Sequence, residues 1–126
     1  GLDDAALQAI DDALQQTVRA THGLVGGTSS RVERIRYQPA MARTEANLRL
    51  YALAQQAAQA QGIHLYEEVR GGTSDGNFLA AAGLPVLDGL GPSGGLDHSP
   101  DEYLVEESVG PRTAMLAGLI LRLCTA

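Results

Sequence analysis

The residues best able to do chemistry lie in the second half of the chain. Gly72-Thr73-Ser74-Asp75-Gly76 fits the pattern G-x-S-x-G, and Asp88 and His98 follow it in Ser, Asp, His order. A strained strand-to-helix turn there would expose the Ser74 hydroxyl, with His98 as general base and Asp88 orienting the imidazole. The same run also makes a plain tight turn, its glycines allowing positive φ or close backbone approach and its acid capping a helix. That is the commoner use of such a run.

His98 sits within Gly94-Gly95-Leu96-Asp97-His98-Ser99-Pro100, a long Gly/Pro-rich loop. Loops at the carboxyl ends of buried strands are where α/β proteins place ligands and metals, so a ligand role for His98 stands beside a solvated one. His22 at a helix end and His64 on a strand read as structural or solvated, and one His cannot build a catalytic zinc site. The pair Glu67-Glu68 would point to opposite faces of a strand, and Glu106-Glu107 suits the start of a helix, so both read as solvated charge. Arg36 and Arg43 flank a break at Pro39 and could grip a carboxylate bidentately, although a surface role is the default.

The elements that must position these residues follow from periodicity. Leu7, Ile10, Leu14 and Val18 form one stripe of a helix that starts at Asp3 and Asp4 and stops before Gly23. Val32, Ile35 and Tyr37 suggest a strand over 31–37, with imperfect alternation. Gln38-Pro39-Ala40-Met41-Ala42 breaks regular structure and serves as a linker. Thr44 and Glu45 open a helix running to about Gln61 and stopped by Gly62. A strand is expected over 63–69, a short helix from Ser74 or Asp75 to Ala82 with Gly83 as its stop, and a buried strand over 85–87. The closing helix tolerates Pro111 in its first turn and carries Met115, Leu116, Leu119, Ile120 and Leu123 on one face. The alternation of helix and strand implies an α/β fold with parallel strands. One helix with one strand cannot bury a core alone, so partner strands are expected from elsewhere.

Composition bounds the function. The chain has 126 residues, a formal charge of -6, and all nine of its cations are Arg. An acidic chain without a basic stripe is a poor binder of nucleic acid or anionic membranes. The lone Cys124 excludes a disulfide framework and a cysteine-based zinc module. No apolar run reaches the length of a membrane span and no signal peptide is legible, so a cytoplasmic protein is expected. With no Trp and 4% aromatics, the core must be Leu, Ile, Val and Ala.

Three motifs in order raise the specificity: Gly71 to Phe78, Gly83-Leu84-Pro85-Val86-Leu87-Asp88-Gly89-Leu90-Gly91, and Gly95-Leu96-Asp97-His98-Ser99-Pro100-Asp101-Glu102-Tyr103, followed by Pro111-Arg112 in the closing helix. Together they resemble the carboxyl-terminal part of the co-catalytic dizinc metallopeptidase family M-twenty, which includes glutamate carboxypeptidase, aminoacylase and acetylornithine deacetylase. The glutamate-carboxypeptidase-like branch is the nearest. Residues 1–38 resemble the last helix and strand of that family's ferredoxin-like lid, which is also its dimerisation domain. Residues 39–126 resemble the αβαβα end of a catalytic domain with a mainly parallel sheet.

The resemblance implies an enzyme that hydrolyses a peptide or an N-acyl amino acid at its amide bond, and a homodimer formed through the lid. Two zinc ions share a water that a Glu activates, and the metal lowers the water's pKa and stabilises the oxyanion. It implies that His98 is a zinc ligand and that Gly71, Gly72 and Thr73 meet the substrate through their backbone. Ser74 is then no nucleophile, which leaves a serine hydrolase using Ser74, Asp88 and His98, or a non-catalytic dimerisation module, as the alternatives. The family's His-x-Asp pair, bridging Asp, general-base Glu and further acidic ligand precede its lid and are absent here. The chain alone is therefore expected to be inactive. Gln38 stands where the family places an Arg for the substrate's carboxylate, leaving Arg36 or Arg43 to compensate.

Overall fold

A computed structural model describes residues 3–125. The chain divides into two compact units, Gly1–Ala42 with Gly72–Leu84 and Arg43–Gly71 with Pro85–Ala126, of which residues 3–125 are the described part.

The first unit begins with helix α1, Asp4–Thr21. Asp3 caps it by accepting the Ala6 N–H at 2.8 Å, and Asp4 and Arg19 lie at the ends that suit their charges. Leu7 and Val18 of the expected stripe are half-buried, while Ile10 and Leu14 are exposed. No strand forms over 31–37. A strand exists only by pairing with a neighbour, and Ile35, on the opposite face from Val32, is left 96% exposed. Side chains fasten this segment instead. Asp4 accepts from the Tyr37 hydroxyl at 2.8 Å and from the Ala40 N–H at 2.9 Å, and Arg34 pairs with Asp11. The Arg34 guanidinium also lies 5.3 Å from the centre of the Tyr37 ring.

Helix α2 in this unit's partner, Glu45–Gln59, is capped by the Thr44 hydroxyl, which accepts the Asn47 N–H at 3.1 Å. Both helix stops expected from glycine form. Gly62 at φ 67° follows α2, with Ile63 N–H returning to the Ala58 carbonyl at 2.9 Å. Gly83 at φ 88° follows α3, Gly76–Ala81 of the first unit, with Leu84 N–H returning to Leu79 at 3.2 Å. Both are the paired carbonyl returns that a left-handed residue permits after a helix.

The core of the second unit is small and aliphatic. Ala54, Ala57 and Ala58 of α2 pack on Met115 and Leu119 of α4, Val109–Thr125, and are joined by half-buried Leu50, Leu53, Ile63, Leu65, Leu87 and Leu90. Helix α4 is entered through a 3-10 turn at Glu106–Ser108, which places Glu106 and Glu107 at its start. Of the expected apolar face of α4, only Met115 and Leu119 are buried, and Leu116, Ile120 and Leu123 face outward. The expected strands over 63–69 and 85–87 are also absent among the described residues. Ile63 and Leu65 keep the period-two burial of a strand, with His64 and Tyr66 exposed between and beyond them. Their backbone is served by α2 side chains: the Tyr51 hydroxyl donates to the Leu65 carbonyl at 3.1 Å, and Asn47 accepts the Val86 N–H at 3.1 Å.

The sheet that does form among the described residues is antiparallel, not parallel. Strands β1, Gly94–Gly95, and β2, Tyr103–Leu104, pair in the register Gly94 with Leu104 and Gly95 with Tyr103. The loop expected to be unstructured is therefore closed at its base as a hairpin. The described residues, rich in helix with one small sheet, are compatible with part of an α/β domain.

Candidate metal-ligand hairpin and substrate turn

The hairpin base admits no side chain at Gly94, where the obstacle is backbone, and one at Gly95 only if the Tyr103 ring moves aside. A Cβ at Gly94 would collide with the Tyr103 carbonyl, and one at Gly95 would lie 2.8 Å from the Tyr103 hydroxyl and 3.0 Å from its ring. Tyr103 thus covers the base, and the chain between the strands turns sharply. Leu96 at φ 59° and His98 at φ 65° are the two non-glycine residues in the left-handed region among those described. Such backbone costs on the order of 1–3 kcal/mol per residue and persists only where its surroundings impose it. Here the hydrogen bonds of the loop do so. Ser99 N–H reaches the Leu96 carbonyl at 3.1 Å, Glu102 N–H the Ser99 carbonyl at 3.2 Å, and Asp101 N–H the Ser99 hydroxyl at 3.2 Å. The His98 N–H donates to Glu102 Oε2 at 3.2 Å. The His98 side chain is exposed and its imidazole makes no hydrogen bond among the described residues, which leaves both ring nitrogens accessible.

Metal ions are held by several side chains converging within bonding distance. No group of three or more His, Cys, Asp and Glu does so among the described residues. The donors present here do not make a zinc site by themselves, and His98 offers one ligand.

The glycine-rich turn is divided at the boundary of the two units. Gly71 closes one segment of the second unit, and Gly72 and Thr73 open a segment of the first. Neither glycine has a positive φ, and a Cβ on either would meet nothing within 4 Å, so the turn needs them for no internal reason. The Thr73 hydroxyl donates to the side-chain carbonyl of Gln38, which joins the expected substrate turn to the linker position that lacks an Arg. Ser74 is a helix cap. Its hydroxyl accepts the Gly76 N–H at 3.2 Å, and its own N–H donates to Asn77 Oδ1 at 2.9 Å. Asn77 thus returns to the Ser74 N–H as the acid of a capping box does, while the Ser74 hydroxyl accepts from Gly76 and the Asn77 N–H donates to the Ser74 carbonyl at 3.1 Å. A nucleophile elbow requires a strained turn at the serine, and Ser74 has no positive φ. Within the second unit, Asp88 accepts the Gly89 N–H at 2.8 Å, and among the described residues no hydrogen bond links it to the His98 imidazole. The serine-hydrolase alternative thus lacks the strained turn at Ser74 and the Asp88 bond to the His98 ring that it calls for.

Arg43 is engaged by a carboxylate of its own chain. Its Nε and Nη2 each donate to Glu67 at 2.8 Å, a bidentate fork. The hydrogen bond from Arg43 holds the Glu67 carboxyl below its usual range, and the same bond raises Arg43. Arg36 lies exposed in the 31–42 segment. Of the two histidines read as structural or solvated, His22 receives the Ser30 N–H on Nδ1 at 3.3 Å. His64 lines a surface cleft of about 360 Å³ with Gln55, Gln59, Gly62, Ile63 and Leu65, which includes none of the expected site residues.

Two organising residues escaped the sequence reading. Asn77 is 93% buried by side chain and backbone together, being 7% exposed, and its Nδ2 donates to the Pro39 carbonyl at 2.9 Å. Its spacing from Ser74 was the available signal. Asp4 gathers the linker onto α1, and the Ala40 N–H and then the Tyr37 hydroxyl hold its carboxyl below the usual range. No local pattern announces a partner so far along the chain.

The class of protein comes from comparison with known families, with which the mixed architecture is compatible. The family model described as peptidase family M20/M25/M40 matches residues 3–122. The chain belongs to that family, one of peptidase-type hydrolases whose members are typically metal-dependent. No curated protein and no solved structure matches the chain.

Proposed function

We propose that this chain is the carboxyl-terminal part of a zinc-dependent peptidase or amidohydrolase, nearest the glutamate-carboxypeptidase-like branch of its family. The intact enzyme cleaves a small peptide or an N-acyl amino acid at the amide bond and carries two zinc ions per active site. This chain contributes His98 as one ligand, and the backbone of Gly71, Gly72 and Thr73 to the substrate. Arg43 is the candidate for the substrate's carboxylate, which would have to displace Glu67 from the guanidinium fork. The chain by itself is inactive, because it holds one ligand and no general base. Residues 1–38 form part of a lid through which two copies associate, and residues 39–126 complete the catalytic domain.

The observation that carries this reading is His98, whose exposed imidazole makes no hydrogen bond among the described residues on a strained hairpin inside the region that the family matches. Strain of this kind is retained where a side chain must be aimed. The test uses the intact protein. Chelation is expected to abolish hydrolysis and added zinc to restore it, while His98→Ala loses both activity and part of the bound zinc. Hydrolysis that survives chelation, in a protein where His98→Ala changes nothing, would refute the assignment.

A further inference from the structure

Glu102 lies four residues after His98 and just before β2, and nothing so far gives its side chain a task. Its carboxylate accepts the His98 N–H at 3.2 Å, while its own N–H reaches back to the Ser99 carbonyl at 3.2 Å. The residue therefore spans the loop twice, once through its backbone and once through its side chain. The N–H it satisfies belongs to a residue at φ 65°, a conformation that an L-amino acid leaves unless something holds it. The Gly94 and Gly95 base, closed by Tyr103, fixes where the loop begins and ends. It does not fix the rotation of the peptide at position 98. In the hairpin that remaining freedom is restrained by the Glu102 carboxylate.

We infer that Glu102 is a positioning residue, whose carboxylate holds His98 in its left-handed conformation and so aims the imidazole as a metal ligand. The inference rests on the proposed role of His98, but the hydrogen bond can be tested apart from it. Partners that orient a ligand typically cost about 10–100-fold in metal affinity when removed.

The experiment takes the intact protein with histidines labelled in nitrogen-15, the His98 resonance being assigned by its loss in His98→Ala. Glu102→Ala should raise hydrogen exchange at the His98 amide about tenfold or more as the loop opens locally. It should also weaken zinc binding, measured by competition with a chelator, by about tenfold. Glu102→Gln keeps an oxygen acceptor at the same reach, so it should stay within about twofold of the parent in both measurements. An unchanged His98 amide in Glu102→Ala overturns the inference. So does a Glu102→Gln variant as impaired as Glu102→Ala, because charge rather than the accepted N–H would then be at work. If His98→Ala leaves zinc content unchanged while Glu102→Ala still frees the His98 amide, the ligand role fails and the positioning of the loop stands.

Discussion

In the unit built from Arg43–Gly71 and Pro85–Ala126, two helices meet through Ala54, Ala57, Ala58, Met115 and Leu119. In the unit built from Gly1–Ala42 and Gly72–Leu84, no residue of α1 is buried, and Asp4 and Asn77 tie irregular chain to a helix end. The first arrangement draws on apolar area removed from water, which has little pH dependence. The second draws on hydrogen bonds to single polar atoms, which fail one at a time and, for Asp4, with protonation. Small residues explain the helix contact: a Cβ on Gly118 would stand 3.7 Å from the Ala57 methyl, so the backbones approach closely.

That contrast yields a graded set of tests. Met115→Ala removes the largest fully buried side chain and should cost about 2–5 kcal/mol, read as a lowered urea midpoint. A cost below that range would mean that the outward Leu116, Ile120 and Leu123 can turn in to refill the core. Asn77→Ala strands the Ser74 N–H and the Pro39 carbonyl and should cost about 1–3 kcal/mol, with the loss confined to amides of the first unit in hydrogen exchange. Thr44→Ala removes the cap of α2 and should cost about 1 kcal/mol by the same urea assay.

The smallest effect concerns pH. The folded carboxyl of Asp4 lies below its unfolded value, so its contribution is complete above about pH 4 and is lost as pH falls through the folded value. Asp4→Asn should flatten that acid limb for the first unit while leaving the neutral-pH fold in place. An acid limb identical in the variant would move the origin of that pH dependence away from Asp4. Glu67, held low by Arg43, should give the second unit a similar but salt-sensitive limb.

Local signals were legible because their partners lie within a few residues. Asp3, Thr44, Gly62 and Gly83 start or stop helices where the spacing expects them, since a cap and its N–H sit one turn apart. The family was legible from three motifs in order, which the match over residues 3–122 encloses. The strands expected over 31–37, 63–69 and 85–87 were not secured by their own residues. Their alternation sets only which side chains can share a face, as Ile63 and Leu65 do, while a ladder requires a second strand from outside the pattern.

The sequence by itself determined the helices, their ends, the family and the histidine that the hairpin presents. Tertiary structure decided the partners. Arg43 takes Glu67, Asn77 takes Pro39, and the Gly94–Gly95 segment pairs with Tyr103–Leu104 to set His98 at a left-handed turn. Those choices join residues separated by many positions, where a fork, a buried amide or a hairpin depends on how the intervening chain folds and not on spacing.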